Sequence, residues 1–199
     1  GQLNERTENM KKKIFVCALI AVCLSIMAYS TVAYFTHEEK ATNVITVGNI
    51  KIELQHLTMD DSEGELTAVI DNVVSINPGT AVSRVVQVKN TGDHDAWVRI
   101  SVEKLIELAK GIDGQPDSSL IGLDINTEYW SEFDGYYYYT QPLEAGQTTQ
   151  PLFTQISFSS DMGNIYQNSS AKVEITAYAV QTVHNGETVF DAAGWPQKN

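Results

Sequence analysis

Val86-Gln87-Val88-Lys89-Asn90-Thr91-Gly92, followed three residues later by Ala96-Trp97-Val98-Arg99-Ile100-Ser101-Val102, decides the fold class. Valine and isoleucine recur at every second position, the period of a strand whose side chains alternate between faces. Between the two runs lies Asn90-Thr91-Gly92, residue types that reverse a chain. The same pattern continues outward in both directions. Upstream, Ile50, Ile52 and Leu54 alternate with Lys51 and Glu53, and Leu66 to Val74 is an apolar stretch closed by Asn77-Pro78-Gly79. Val82 leads into the quoted run. Downstream come Ile121, Leu123 and Ile125, then Trp130 and Tyr136 flanking the hairpin dipeptide Asp134-Gly135. Tyr136, Tyr137, Tyr138 and Tyr139 are consecutive. Leu152 to Phe158 and Val173 to Ala179 complete the set. About eight or nine short strands separated by turns predict an all-β sandwich or barrel. Only Glu103 to Lys110 has helix-like content, and it reads equally well as the end of a strand and a loop.

Composition agrees with one β-rich domain. The chain has 199 residues, 13 Lys plus Arg against 25 Asp plus Glu, and a net charge of −12. That balance argues against nucleic acid as a partner, because a phosphate backbone is held mainly by Lys and Arg. Charged residues are 19%, under the roughly 25% of an average domain. Two cysteines cannot build a disulfide framework.

The N-terminal segment is different in kind. Lys11, Lys12 and Lys13 precede an apolar run from Ile14 to Leu24, resumed by Ile26 to Tyr29 and ended by Ser30-Thr31-Val32-Ala33. A basic region, an apolar stretch and small residues make a secretory signal peptide at 10–33. The lysines stay cytoplasmic while the apolar stretch enters the bilayer. Thr31 and Ala33 are spaced for cleavage before Tyr34. The competing reading is an uncleaved anchor, since about 20 apolar residues span a membrane. Gly1 to Asn9 is polar and patternless, and Glu5-Arg6-Thr7 can be encoded by a purine-rich ribosome-binding sequence. This stretch is therefore expected to be translated leader. Removing 1–33 leaves a mature domain at 34–199 with 9 basic and 23 acidic residues, a net of −14. Cys17 and Cys23 leave with the signal.

Chemistry-bearing motifs are few. A zinc protease of the His-Glu-x-x-His type needs two histidines four residues apart on a helix. His37-Glu38 begins that pattern, but Ala41 stands where the second histidine belongs. His56, His94 and His184 are scattered. Asp60 to Glu65 lacks the ligand spacing of a calcium loop, as does Asp93-His94-Asp95, so both are expected to be solvated turns. No nucleophile elbow, phosphate loop or dinucleotide fingerprint occurs. The expectation is no catalytic residue, metal or cofactor.

Thr31-Val32-Ala33-Tyr34-Phe35-Thr36, then Ala41-Thr42-Asn43-Val44-Ile45-Thr46-Val47-Gly48-Asn49-Ile50-Lys51-Ile52, resembles the TasA and camelysin group of exported proteins. Asn77-Pro78-Gly79, the 86–100 region and Ala177-Tyr178-Ala179-Val180-Gln181 match as well. The resemblance implies a jelly-roll-like antiparallel β-sandwich and a signal cut by a SipW-type signal peptidase after passage through the general secretion machinery. It places the protein in the extracellular matrix or at the cell surface of a Gram-positive-type bacterium. It also implies self-association into fibres, with 34–47 as donor strand and Val44, Ile45 and Val47 as its apolar contacts. Membrane contact is then limited to the signal segment before cleavage. Two rival readings stand beside this one. The first is a monomeric sandwich binding a ligand or partner through Trp130 and Tyr136 to Tyr139. The second is a camelysin-like metalloprotease, for which the sequence offers no zinc motif.

Overall fold

The computed structural model describes residues 43–59, 65–69 and 72–196. Eleven strands occur among them. They are β1 (Val44–Thr46), β2 (Ile52–Met59), β3 (Leu66–Ala68), β4 (Val73–Ser75), β5 (Ala81–Asn90) and β6 (Ala96–Glu107). After these come β7 (Ile121–Leu123), β8 (Trp130–Phe133), β9 (Tyr136–Tyr139), β10 (Phe153–Phe158) and β11 (Ser170–Gln181). The excess over the expected eight or nine comes from β1 and from the division of Leu66 to Val74 between β3 and β4. Three residues are too few to print an alternation on the sequence. Leu66 to Val74, one apolar stretch in the sequence, contains two strands that join different sheets.

One sheet has the order β1-β11-β6-β9-β8, with β4 also pairing β11; the other runs β3-β2-β5-β10-β7. Among the described strands every pair is antiparallel except β1 with β11. The backbone passes repeatedly from one sheet to the other, so neighbours within a sheet are mostly distant in sequence. Strands facing each other across the gap bury their inward residues together. Val86 and Val88 of β5, Val98 and Ile100 of β6, Phe153 and Ile156 of β10, and Val173 and Ile175 of β11 share one core. The all-β sandwich is the observed fold.

Local chemistry explains the corners. Asn77-Pro78-Gly79-Thr80 closes with Thr80 N–H donating to the Asn77 carbonyl at 3.2 Å. Proline supplies a fixed φ at the second position, and Gly79 takes φ +75° at the third, as a type II turn requires. Asp134 and Gly135 both have positive φ, 51° and 76°, matching the twist of the β8–β9 hairpin. Glu103–Glu107 is strand and not helix. It continues β6 and pairs with Ser170–Glu174 of β11, so cross-strand hydrogen bonds and packing override its local helix preference.

Asn90 closes the turn between the two defining strands. It is fully buried. Its Nδ2 donates to the carbonyls of His94 (2.8 Å) and Leu143 (3.0 Å), and its Oδ1 accepts from Gly92 N–H at 3.0 Å. Each amide atom is satisfied, and the β5–β6 turn and the loop at Leu143 are tied at one side chain. Replacing Asn90 by alanine removes three hydrogen bonds at a buried position, although the Leu143 carbonyl keeps Ala96 N–H and Gly92 N–H keeps the Lys51 carbonyl. Asn90→Ala is therefore expected to cost about 2–4 kcal/mol, read as a lower urea midpoint with an unchanged slope. Asn90→Asp should be no better, since a carboxylate cannot donate to the two carbonyls.

Candidate functional site

The residues assigned to export, Lys11, Lys12, Lys13, Thr31, Ala33 and Tyr34, lie outside the described residues, as do His37 and 60–64. Of the proposed donor segment, 43–47 is described. Val44–Thr46 runs parallel to Ala177–Ala179 of β11, in the register Val44↔Ala177, Ile45↔Tyr178, Thr46↔Ala179. Ala177 N–H donates to the Asn43 carbonyl at 2.7 Å. Val44 packs on the main core, whereas Val47 lies beyond the strand and is half exposed. Behind it Gly48 takes φ +71° with no atom near the position of a Cβ. The segment is thus a three-residue edge strand on a glycine pivot. The β11 edge it occupies is shared with β4, which pairs antiparallel at Ser170–Lys172. Between the two partners, Val173–Thr176 carry no described strand on that side.

The five aromatic residues expected to form a binding surface divide between two interiors. Trp130 and Tyr139 face inward, 5.1 Å apart by ring centroid, with Trp130 1% exposed and its Nε1 donating to the Gln150 carbonyl. Tyr137 packs against the same core. Tyr138 and Tyr136 point to the opposite face of the sheet, where they join Trp97, Val180, Val189 and Trp195 in a second cluster. The polypeptide after β11 covers that face. Trp97 Nε1 donates to the Asn185 carbonyl at 2.9 Å, fastening it.

At the centre of this second cluster is Arg99, 6% exposed. Its register partners are Tyr138 on one side and Tyr178 on the other. The guanidinium carbon lies 3.8 Å from the Tyr136 centroid, 4.7 Å from Trp195, 5.3 Å from Tyr178 and 5.9 Å from Tyr138. Nη1 donates to Tyr138 Oη and Nη2 to the Pro196 carbonyl, both at 3.2 Å. Nε has no hydrogen-bond partner among the described residues. A cation held by ring faces and two neutral acceptors is a cation–π box, and desolvation makes each such contact stronger than on an open surface. The sequence shows one trace of it. Ala96 to Ile100 has large side chains of both parities, which a strand with one wet face does not need.

His56, on β2, is the one described histidine with an interior setting. Its Nδ1 lies 3.0 Å from Asn72 Oδ1, and its Nε2 is buried without a partner among the described residues. Val86, Phe153, Ile156, Val173 and Ile175 line the small cavity beside it. Burial pushes the imidazole below its ordinary 6.5, the Asn72 hydrogen bond opposes that, and the Arg84 charge adds to it. His94 and His184 are exposed on other loops. Among the described residues no three His, Cys, Asp or Glu side chains come together as a metal site. No described helix is long and apolar enough to cross a membrane.

Two outcomes follow from these interiors. Arg99→Ala removes the box and its two hydrogen bonds. The expected cost is about 2 kcal/mol or more, with faster proteolytic cutting in 182–196 than in the sandwich strands. His56 is favoured neutral in the fold, so its stabilising contribution is complete above pH 6.5 and shrinks as acid protonates the unfolded chain preferentially. His56→Gln should therefore lose less thermal stability than the parent between pH 7.5 and 5.5, both values being about one unit either side of the free imidazole.

No curated protein and no solved structure matches the chain. The sequence profile described as camelysin metallo-endopeptidase matches residues 9–117, more than half of its length. That span includes the apolar N-terminal run, β1 and the Asn90 turn, and it ends before β7. The chain belongs to the camelysin family, the group that also contains TasA.

Proposed function

We propose that this protein is a secreted, non-enzymatic structural protein of the extracellular matrix or cell surface, assembling into fibres by exchange of its N-terminal strand. The observation that carries the reading is β1. It is three residues long, it lies at a sheet edge, it is the single parallel strand among those described, and Gly48 forms its pivot. Three residues of pairing make a weak hold. The same backbone groups of β11 can take the Val44–Thr46 segment of a neighbouring copy, with main-chain hydrogen bonds for affinity and the Val44 position for register. Donation from one copy to the next is heterologous and does not close, so it propagates as a filament. A mature charge of −14 makes copies repel, and salt screens that repulsion.

Membership in a family of exported proteins supports the export half of this reading. The non-enzymatic half rests on the sequence, where Ala41 occupies the place of the second zinc histidine. The alternative of an aromatic binding surface loses its main support, because Trp130, Tyr138 and Tyr139 are committed to packing.

Protein recovered from culture medium should begin at Tyr34. Since the mature chain has no cysteine, one population carrying Val44→Cys can be mixed with another carrying Ala177→Cys. The expected result is fibres under the electron microscope, more abundant at higher salt, with disulfides between the two populations. Fibres that form equally well without 34–47, or that show no such cross-link, overturn strand exchange. Absence of fibres in every form overturns the structural role.

A further inference from the structure

A cleft at one end of the sandwich has a chemistry that fibre assembly leaves unused. Its volume is about 670 Å³, within the range of small-molecule sites. One wall is the end of β4 and the turn after it, and the other is the segment leading into β11. The walls are joined by the Ser75↔Ser170 pair and by Ile76 N–H donating to the Ser169 carbonyl at 3.0 Å. Ile76 and Met162 close the floor but are nearly fully buried, so the apolar surface open to a ligand is that of Pro78, which is exposed. Asn77 stands on one wall and Asn164, Gln167 and Asn168 on the other, all exposed. The side-chain amides of these four make no hydrogen bond to other described residues. Asn168 is held at φ +59°, a left-handed conformation that asparagine tolerates and most residues do not.

Among the described residues no charged side chain lines this cleft, although the protein as a whole is strongly acidic. A phosphate, a carboxylate or a metal cation would therefore find no counter-charge there. An apolar ligand would cover four amides and leave them unsatisfied. An added peptide strand would need free backbone edge, but the backbone between the walls is already spent on the β4–β11 ladder. A primary amide presents two N–H donors and an acceptor oxygen side by side. That is the complement of adjacent hydroxyls, each of which donates and accepts. Apolar surface beside such groups suits the C–H face of a sugar ring.

We propose that this cleft is a binding site for a neutral oligosaccharide or polysaccharide chain, with Asn77, Asn164, Gln167 and Asn168 taking the hydroxyls and Pro78 the ring face. The site lies away from β1 in the described fold, and its test is independent of fibre formation. The full chain, labelled with ¹⁵N, is titrated to about 10 mM, a level suited to weak ligands, with maltohexaose, cellohexaose and chitohexaose in turn. A charged control, a heparin hexasaccharide, is run alongside. Side-chain amide signals of the four residues should shift with at least one neutral hexasaccharide and not with heparin. The double substitution Asn164→Ala with Gln167→Ala, both exposed, should leave the rest of the spectrum in place and weaken that binding by about tenfold or more. No amide shift with any neutral hexasaccharide overturns the proposal. So does binding unchanged in the double variant, or a response to heparin equal to the neutral sugars. If the double variant shows a disturbed spectrum, Asn77→Ala, on the opposite wall, serves as the second test of the same loss.

Discussion

Twelve consecutive residue pairs join β6 to β11, from Ser170↔Glu107 to Gln181↔Ala96. This ladder is the spine of the molecule, with its inward face buried and its outward face covered at the Trp97–Arg99 end. Inward, Val98, Ile100, Val173, Ile175, Ala177 and Ala179 lie against the second sheet. Ala177 and Ala179 lie at the end of β11 where β1 pairs. Outward, Trp97, Arg99, Tyr178 and Val180 would make a large wet apolar patch if left open. The polypeptide after β11 turns back over them, and Arg99 provides the polar centre to which it is tied. A guanidinium suits that place better than an ammonium. It is weakly hydrated, it stacks on rings, and its fork reaches Tyr138 and Pro196 at once.

The same ladder leaves the two sides of β11 unequally paired. On the β6 side every pairing position of β11 is filled over twelve residues. On its other side two three-residue strands, β4 and β1, hold the ends and leave Val173–Thr176 between them. A parallel pair of three residues, followed by a glycine with φ +71°, thus lies beside a ladder of twelve pairs. Cross-links contribute nothing, since no cysteine occurs after Cys23. A domain of this size can rely on its core alone, because folding buries about 70% of the surface its unfolded chain exposes. Long-range pairing of this kind is slow to form.

Much of the β framework is legible in the amino-acid sequence. The alternation through β5, β6, β10 and β11 is visible because one face of each strand meets the same core. Asn77-Pro78-Gly79 and Asp134-Gly135 are readable because their φ values are available to few residue types. The short strands β1, β3 and β4 are not, since three residues carry no period. The tyrosine run misleads for a related reason. Four identical aromatic residues show no polarity difference between faces, so nothing in them tells that Tyr137 and Tyr139 enter one cluster and Tyr136 and Tyr138 another. The amide cleft is hidden in the same way. Asn77 and Asn164 are far apart in the chain, and each alone is an ordinary turn residue.

By itself the sequence determined the all-β class, the family and the acidic, cysteine-free character of the domain. These depend on local periodicity, motif spacing and composition. Only the tertiary structure decided which strands became neighbours, that Arg99 is enclosed by four rings, and that four amides converge on one cleft. Pairings across the sandwich join residues scores of positions apart. They are selected by the mutual burial of whole faces, a property no short window of sequence contains.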